Sequence, residues 1–237
     1  MKRGLLLTGL CLVGLGVAAC SPHKTASPQA ATSSGAPAPA VAVAAPTTFD
    51  CASPVGPNDS AKALMAKYGA DAEIGTIEGA EGMQVKGLIL YGKDPARRLE
   101  ITFWDDAMEH VSSVAPGSAA KAWIGPAGLH IGSPVADAQA ANGKAFSISG
   151  FGWDYGGYAT DLKGGKLASL AGGCALQLRF DNNTDGAVMP DGISGDGVTL
   201  SSDDKRVKTY APTVSEIAVG WPLPDGVKPS ADDGGGD

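Results

Sequence analysis

Histidine is scarce in this chain of 237 residues: only His23, His110 and His130 occur. That scarcity excludes a histidine-rich zinc centre, and no HExxH motif is present. Basic residues are also few, 18 Lys and Arg against 25 Asp and Glu. The adjacent basic pairs Arg97-Arg98 and Lys205-Arg206 stand among acidic or turn residues and read as solvated surface. Nucleic acid and anionic lipid headgroups are both gripped by clustered Lys and Arg, so the composition argues against either as a partner. No apolar run reaches the roughly 20 residues of a membrane-spanning helix. There are four cysteines and no CxxC pair, which leaves no dithiol redox motif. The Gly192-Ile193-Ser194-Gly195 stretch breaks the spacing of a GxSxG nucleophile elbow, and no glycine-rich loop has the setting of a phosphate cradle. No cofactor is expected.

What is present begins with an address. Lys2-Arg3 precedes an apolar run from Gly4 to Ala19, of signal-peptide length. Val17-Ala18-Ala19-Cys20 then resembles a bacterial lipobox, in which Cys20 is acylated and becomes the mature N-terminus. The alternative is an ordinary signal that happens to meet a cysteine. Ser21, rather than Asp, after Cys20 implies the outer membrane, with the domain facing the periplasm. Residues 20–48 are Ala-, Pro- and Ser-rich, the composition of an extended disordered linker, and 224–237 read as a disordered tail. Several acyl chains give stable anchoring. Of the 18 basic residues Lys2 and Arg3 leave with the signal, so the mature chain carries a net charge of about −9.

Between these ends, residues 49–223 suit one α+β domain with an antiparallel sheet and two short helices. Asn58-Asp59-Ser60 supplies a cap for a helix over Ala61 to Tyr68, and Gly69 supplies its stop. Gly87 to Tyr91 and Leu99 to Trp104 read as a hairpin, with Leu99, Ile101 and Phe103 on its apolar face. Further on, a short strand is expected at Leu129 to Ile131. A helix follows, with Ser133 as cap, Pro134 at its first position and Asn142-Gly143 at its end. Strands are expected at Ala145 to Ser149, Cys174 to Phe180 and Val214 to Trp221. Helix and strands recurring in two halves, about 55–120 and 121–223, suggest a pseudo-repeat. Cys51 and Cys174 are the two cysteines left in an oxidising compartment, and a disulfide between them is expected.

Two segments offer candidate sites. In GFGWDYGG, Phe151, Trp153 and Tyr155 at every second position would share one strand face, with Gly152 and Asp154 on the other. This run is either a core strand closed by a Gly-Gly turn, or a binding site presenting Phe151, Trp153, Asp154 and Tyr155. In Asp181-Asn182-Asn183-Thr184-Asp185-Gly186, oxygen ligands at positions 1, 3 and 5 and glycine at 6 match part of a calcium loop, with Asp191 or Asp196 as further donors. Gly192 stands where the closing Glu belongs, and the other reading is an acidic surface turn. Asp105, Asp106 and Glu109 beside His110 make a poor catalytic constellation and read as capping and solvation. No catalytic residue is assigned.

Asn142-Gly143, the GFGWDYGG run, Gly164-Gly165-Lys166-Leu167, Gly173-Cys174 and Leu176-x-Leu178-x-Phe180 resemble a family of uncharacterised Gram-negative lipoproteins. The Tyr68-Gly69 helix end and the Asp94-Pro95 turn before Leu99-Glu100-Ile101 match it as well. That family has no established activity, so the resemblance carries over no catalytic residue. More loosely, two helix-plus-sheet repeats are similar to small periplasmic domains of the outer-membrane assembly lipoprotein and beta-lactamase-inhibitor type, a likeness of fold that does not fix function. The expectation is a non-catalytic envelope lipoprotein that binds a periplasmic or outer-membrane protein. A hydrolase of wall or small acyl substrates and a purely structural envelope component are the alternatives.

Overall fold

A computed structural model describes residues 47–79, 82–182 and 184–230. The expected signal 1–19, Cys20, the linker up to residue 46, Asn183 and the tail from 231 lie outside the described residues. No helix among the described residues is long and apolar enough to cross a membrane.

The fold is α+β. Helix α1 (Ala61–Tyr68) is capped by Ser60, whose Oγ accepts from the Ala63 N–H, and Gly69 ends it. Four strands then run as an antiparallel meander: β2 (Ala72–Glu78), β3 (Gln84–Leu90), β4 (Leu99–Phe103) and β5 (Val111–Pro116). Two strands from the second half, β9 (Ala175–Asp181) and β11 (Thr213–Gly220), complete a six-stranded sheet in the order β2-β3-β4-β5-β11-β9. A small sheet of β10 (Thr199–Ser201), β7 (Ser147–Ser149) and β8 (Ala159–Asp161) lies beyond β9, reached by a bridge between Tyr158 and Arg179. β1 (Thr47–Thr48) and β6 (Trp123–Ile124) form a short parallel pair.

In the second half the order and pairing of the elements depart from those of the first. Helix α2 (Val135–Asn142) is followed by β7, β8 and β9, but β10 and helix α3 (Lys205–Tyr210) intervene before β11. The halves meet at β5 and β11.

One sheet face is the core. Leu99, Ile101 and Phe103 are buried by alternation on β4, as are Leu178 and Phe180 on β9 and Ile217 and Val219 on β11, while their neighbours face the other way. The Cys51–Cys174 disulfide joins the start of the domain to the residue before β9 across a separation of 123 residues.

Three sequence expectations need correction. Leu129 to Ile131 is not a strand; Pro126–Gly128 forms a single 3-10 turn and the chain bends again before Pro134. Ser133 does not cap α2. Its hydroxyl accepts from the His130 N–H at 3.0 Å, so it closes that bend, and Pro134 itself stands in the cap position. A third helix, α3, adds to the two expected. Asp204 caps it by accepting from the Arg206 N–H, and Arg206 returns an ion pair at 2.7 Å, which holds the Asp204 carboxyl down at about 2.

Candidate functional site: the open sheet face and the aromatic loop

The face of the sheet away from the core is built from small and polar residues. Register places Ile89, Glu100 and Ala115 in one row across β3, β4 and β5, and Thr102 beside Ser113 in another. Thr102 Oγ1 shares hydrogen bonds with the Ser112 and Ser113 hydroxyls, each at 2.7 Å. Two glycines set the relief. A Cβ on Gly87 would lie 2.4 Å from Ile77 Cδ1, and one on Gly75 would lie 2.6 Å from Ile89 Cδ1. The isoleucines therefore lie flat over their glycine neighbours, and the face stays open. The result is a groove of about 770 Å3 whose lining includes Thr102, Ser113, Ala115, Gln177, Ser215 and Ala218.

Two ion pairs belong to the lining of this groove. Arg98 Nε meets Glu100 Oε1 at 2.6 Å, and Arg179 Nη1 meets Glu216 Oε1 at 2.7 Å. Pairs of this exposure contribute no more than about 1 kcal/mol each. Tyr158 joins the second pair through its hydroxyl to Glu216 at 3.1 Å, with the Arg179 guanidinium 5.1 Å from its ring centroid. Burial, reinforced by the Glu216 carboxylate, pushes the Tyr158 phenol above its ordinary value.

Arg179 also fastens the aromatic run. Its Nε donates to Gly156 O at 2.9 Å, and its Nη2 donates to Asp154 O at 2.8 Å and to Trp153 O at 3.4 Å. One planar fork thus holds three carbonyls of the loop and a carboxylate of β11 together. Gly157 makes the docking possible: its φ is +80°, and a Cβ there would lie 2.1 Å from Phe180 O. At that approach the Phe180 N–H donates to Gly157 O at 2.9 Å.

The aromatic run is consequently not a strand with three rings on one side. Gly152, at φ +79°, turns the chain after Phe151, and residues 153–157 form successive turns. Phe151 is buried and packs edge-on to Tyr210, 5.0 Å between centroids. Trp153 is half-buried, donates its Nε1–H to Gly150 O at 2.9 Å and contacts Tyr155 edge-on at 5.6 Å. Tyr155 is 41% exposed. The four residues therefore divide: Phe151 belongs to the core, the Asp154 carbonyl belongs to the Arg179 clamp, and Trp153 with Tyr155 forms an aromatic step beside the groove.

The other candidates are dispersed. Asp181 accepts from the Tyr210 hydroxyl at 3.0 Å and from the Asn182 N–H at 2.8 Å. Asp185 and Asp191 lie in turns, and no group of three or more His, Cys, Asp or Glu among the described residues could hold a metal ion. His110 Nδ1 meets Asp105 Oδ2 at 2.9 Å, and His130 Nδ1 meets Ser133 Oγ at 3.0 Å. A hydrolytic triad needs a carboxylate and a hydroxyl on the same imidazole, whereas here each ring has one of the two. Burial acts to raise the Asp105 carboxyl, but the Glu109 N–H and the His110 ring and N–H outweigh it and hold it below its ordinary value. Asp105 thereby closes the turn between β4 and β5.

Sequence reading missed the groove and the role of Arg179 on β9. The usable signal was the pairing of Arg179 on one strand with Glu216 on the next, visible only once the register is known. No family model matches this chain, and no curated protein or solved structure matches it significantly.

Proposed function

We propose that this protein is a lipoprotein anchored through Cys20 in the outer membrane, and that its domain is a non-catalytic module binding a periplasmic protein on the open sheet face. The lipobox-like Val17-Ala18-Ala19-Cys20 and the Ala/Pro-rich stretch after it support the anchoring. The observation that carries the binding role is that Arg179, which lines the open groove of about 770 Å3, also clamps the loop that carries the Trp153–Tyr155 step. Small side chains in the groove let a partner approach closely, polar hydroxyls and the two Arg–Glu pairs supply orienting hydrogen bonds, and aromatic rings are the residues that most often anchor such interfaces.

The test is affinity capture of the full chain from crosslinked envelopes, wild type beside Trp153→Ala/Tyr155→Ala. A defined partner retained by wild type and lost by the double variant is expected, with the Cys51–Cys174 disulfide intact in both. Capture unchanged by the double variant would remove the aromatic step from the proposal.

A further inference from the structure

The strand at the far end of the sheet, whose Thr76, Ile77 and Glu78 reach the groove lining, also has a free edge among the described residues. Among the described residues β2 is the terminal strand of the sheet, and β3 is its one ladder partner. In an antiparallel pair, alternate residues direct both backbone groups at the partner and the residues between direct theirs away. The Tyr91 N–H donates to Asp71 O at 2.7 Å, and the Gly79 N–H donates to Met83 O at 2.7 Å. With Ala72 opposite Leu90 and Glu78 opposite Gln84, this phase assigns Asp71, Glu73, Gly75, Ile77 and Gly79 to β3. Ala72, Ile74, Thr76 and Glu78 therefore direct their N–H and C=O groups to the free edge. The strand has no proline or lysine, the residues that commonly blunt such edges.

From this geometry we infer that β2 is a homodimerisation strand, pairing antiparallel with β2 of a second copy about a two-fold axis at Gly75. The outward-bonding residues must face one another, so only registers matching Ala72, Ile74, Thr76 and Glu78 among themselves are available. The register centred on Gly75 pairs the whole strand: Ala72 with Glu78, Glu73 with Ile77, Ile74 with Thr76. It sets no glutamate opposite a glutamate, whereas centring on Glu73 would oppose two like charges across the axis. Ile74, 39% exposed, lies on the core side of the sheet, opposite Leu88. In the Gly75 register it becomes the diagonal neighbour of the Ile74 in the second copy, which covers an aliphatic side chain that the single chain leaves in water. A two-fold pairing is isologous and closed, so it ends at a dimer.

The experiment is disulfide trapping with purified full chain in detergent. Gly75→Cys puts one thiol at the axis. Because its Cβ requires the Ile89 terminal methyl to move, a second arm mixes differently tagged Ile74→Cys and Thr76→Cys chains, which the register sets opposite each other. Val188→Cys, at a position 85% exposed and remote in sequence from β2, reports random collision. Both β2 arms are expected to yield roughly tenfold more linked dimer than Val188→Cys, the advantage of a held pair over free encounter. Adding Thr76→Pro to the Gly75→Cys chain, which removes an outward N–H and leaves the β3 ladder bonds intact, should abolish the excess in that arm. Linkage no greater than that of Val188→Cys in both arms, from chains with the Cys51–Cys174 disulfide formed, would overturn the inference and leave a monomeric edge.

Discussion

The two ends of the six-stranded sheet are finished in opposite ways. At the β9 end, a disulfide stands just before the strand, an arginine on it grips three loop carbonyls, and a small second sheet continues past it. At the β2 end, four residues carry outward backbone groups and one isoleucine is 39% exposed. A strand edge with no cover is a site for pairing, whereas an edge fastened by side-chain and covalent links becomes a rigid mount. The aromatic step is on the rigid end. Presenting Trp153 and Tyr155 from a fixed loop reduces the ordering cost of binding, which is how a modest surface gains affinity.

The largest effect should come from the covalent link at the fastened end. Replacing Cys51 and Cys174 by alanine removes a cross-link spanning 123 residues, worth about 5 kcal/mol in the chain-entropy treatment. Denaturant unfolding under oxidising conditions measures it; a loss below about 1 kcal/mol would mean that this end is held without the bond.

Arg179→Ala should come next, at about 2 kcal/mol, because three loop carbonyls lose a charged donor together. Its sharper signature is local. Hydrogen exchange should rise in residues 150–158 and stay unchanged in β2 and β3. A uniform rise across the sheet would erase the distinction between the ends.

The smallest effect concerns Asp105, in the turn between β4 and β5 and away from both ends. Its folded carboxyl titrates below the ordinary 3.8, so its contribution is fully present above that value and is lost as pH falls through the lowered one. Asp105→Asn should therefore cost about 1 kcal/mol at neutral pH, with the gap to wild type closing below about pH 4. A gap constant down to acidic pH would show that the carboxylate charge plays no part.

How much of this was legible in the sequence differs by region. α1, β4 and β9 were readable because a cap residue or strict alternation marked each of them: Ser60 before Ala61, and Leu99-Ile101-Phe103 and Leu178-Phe180 against polar neighbours. β2 was not, since Gly75 interrupts its pattern and its exposed residues include Ile74. β5 was hidden by Ser112-Ser113 at its centre, the hydroxyls that belong to the open face. α3 has six residues, too few for a periodicity, although Asp204 before Lys205 was a usable cap signal. The aromatic run misled for a different reason: period two implied a strand, and the glycine at φ +79° between the first two rings breaks it. The groove has no local sequence pattern at all, because its lining comes from six strands whose order follows from long-range pairing.

The open face as the place where a partner binds is the claim on which the account rests most heavily, and photo-crosslinking tests it most directly. A benzophenone amino acid is placed at Ser113, on the groove lining, and separately at Lys62, on the exposed side of α1. After irradiation of intact envelopes, Ser113 should give one discrete adduct, lost with Trp153→Ala/Tyr155→Ala, and Lys62 should give none. The same adduct from both positions, or an adduct from Lys62 alone, would contradict the claim.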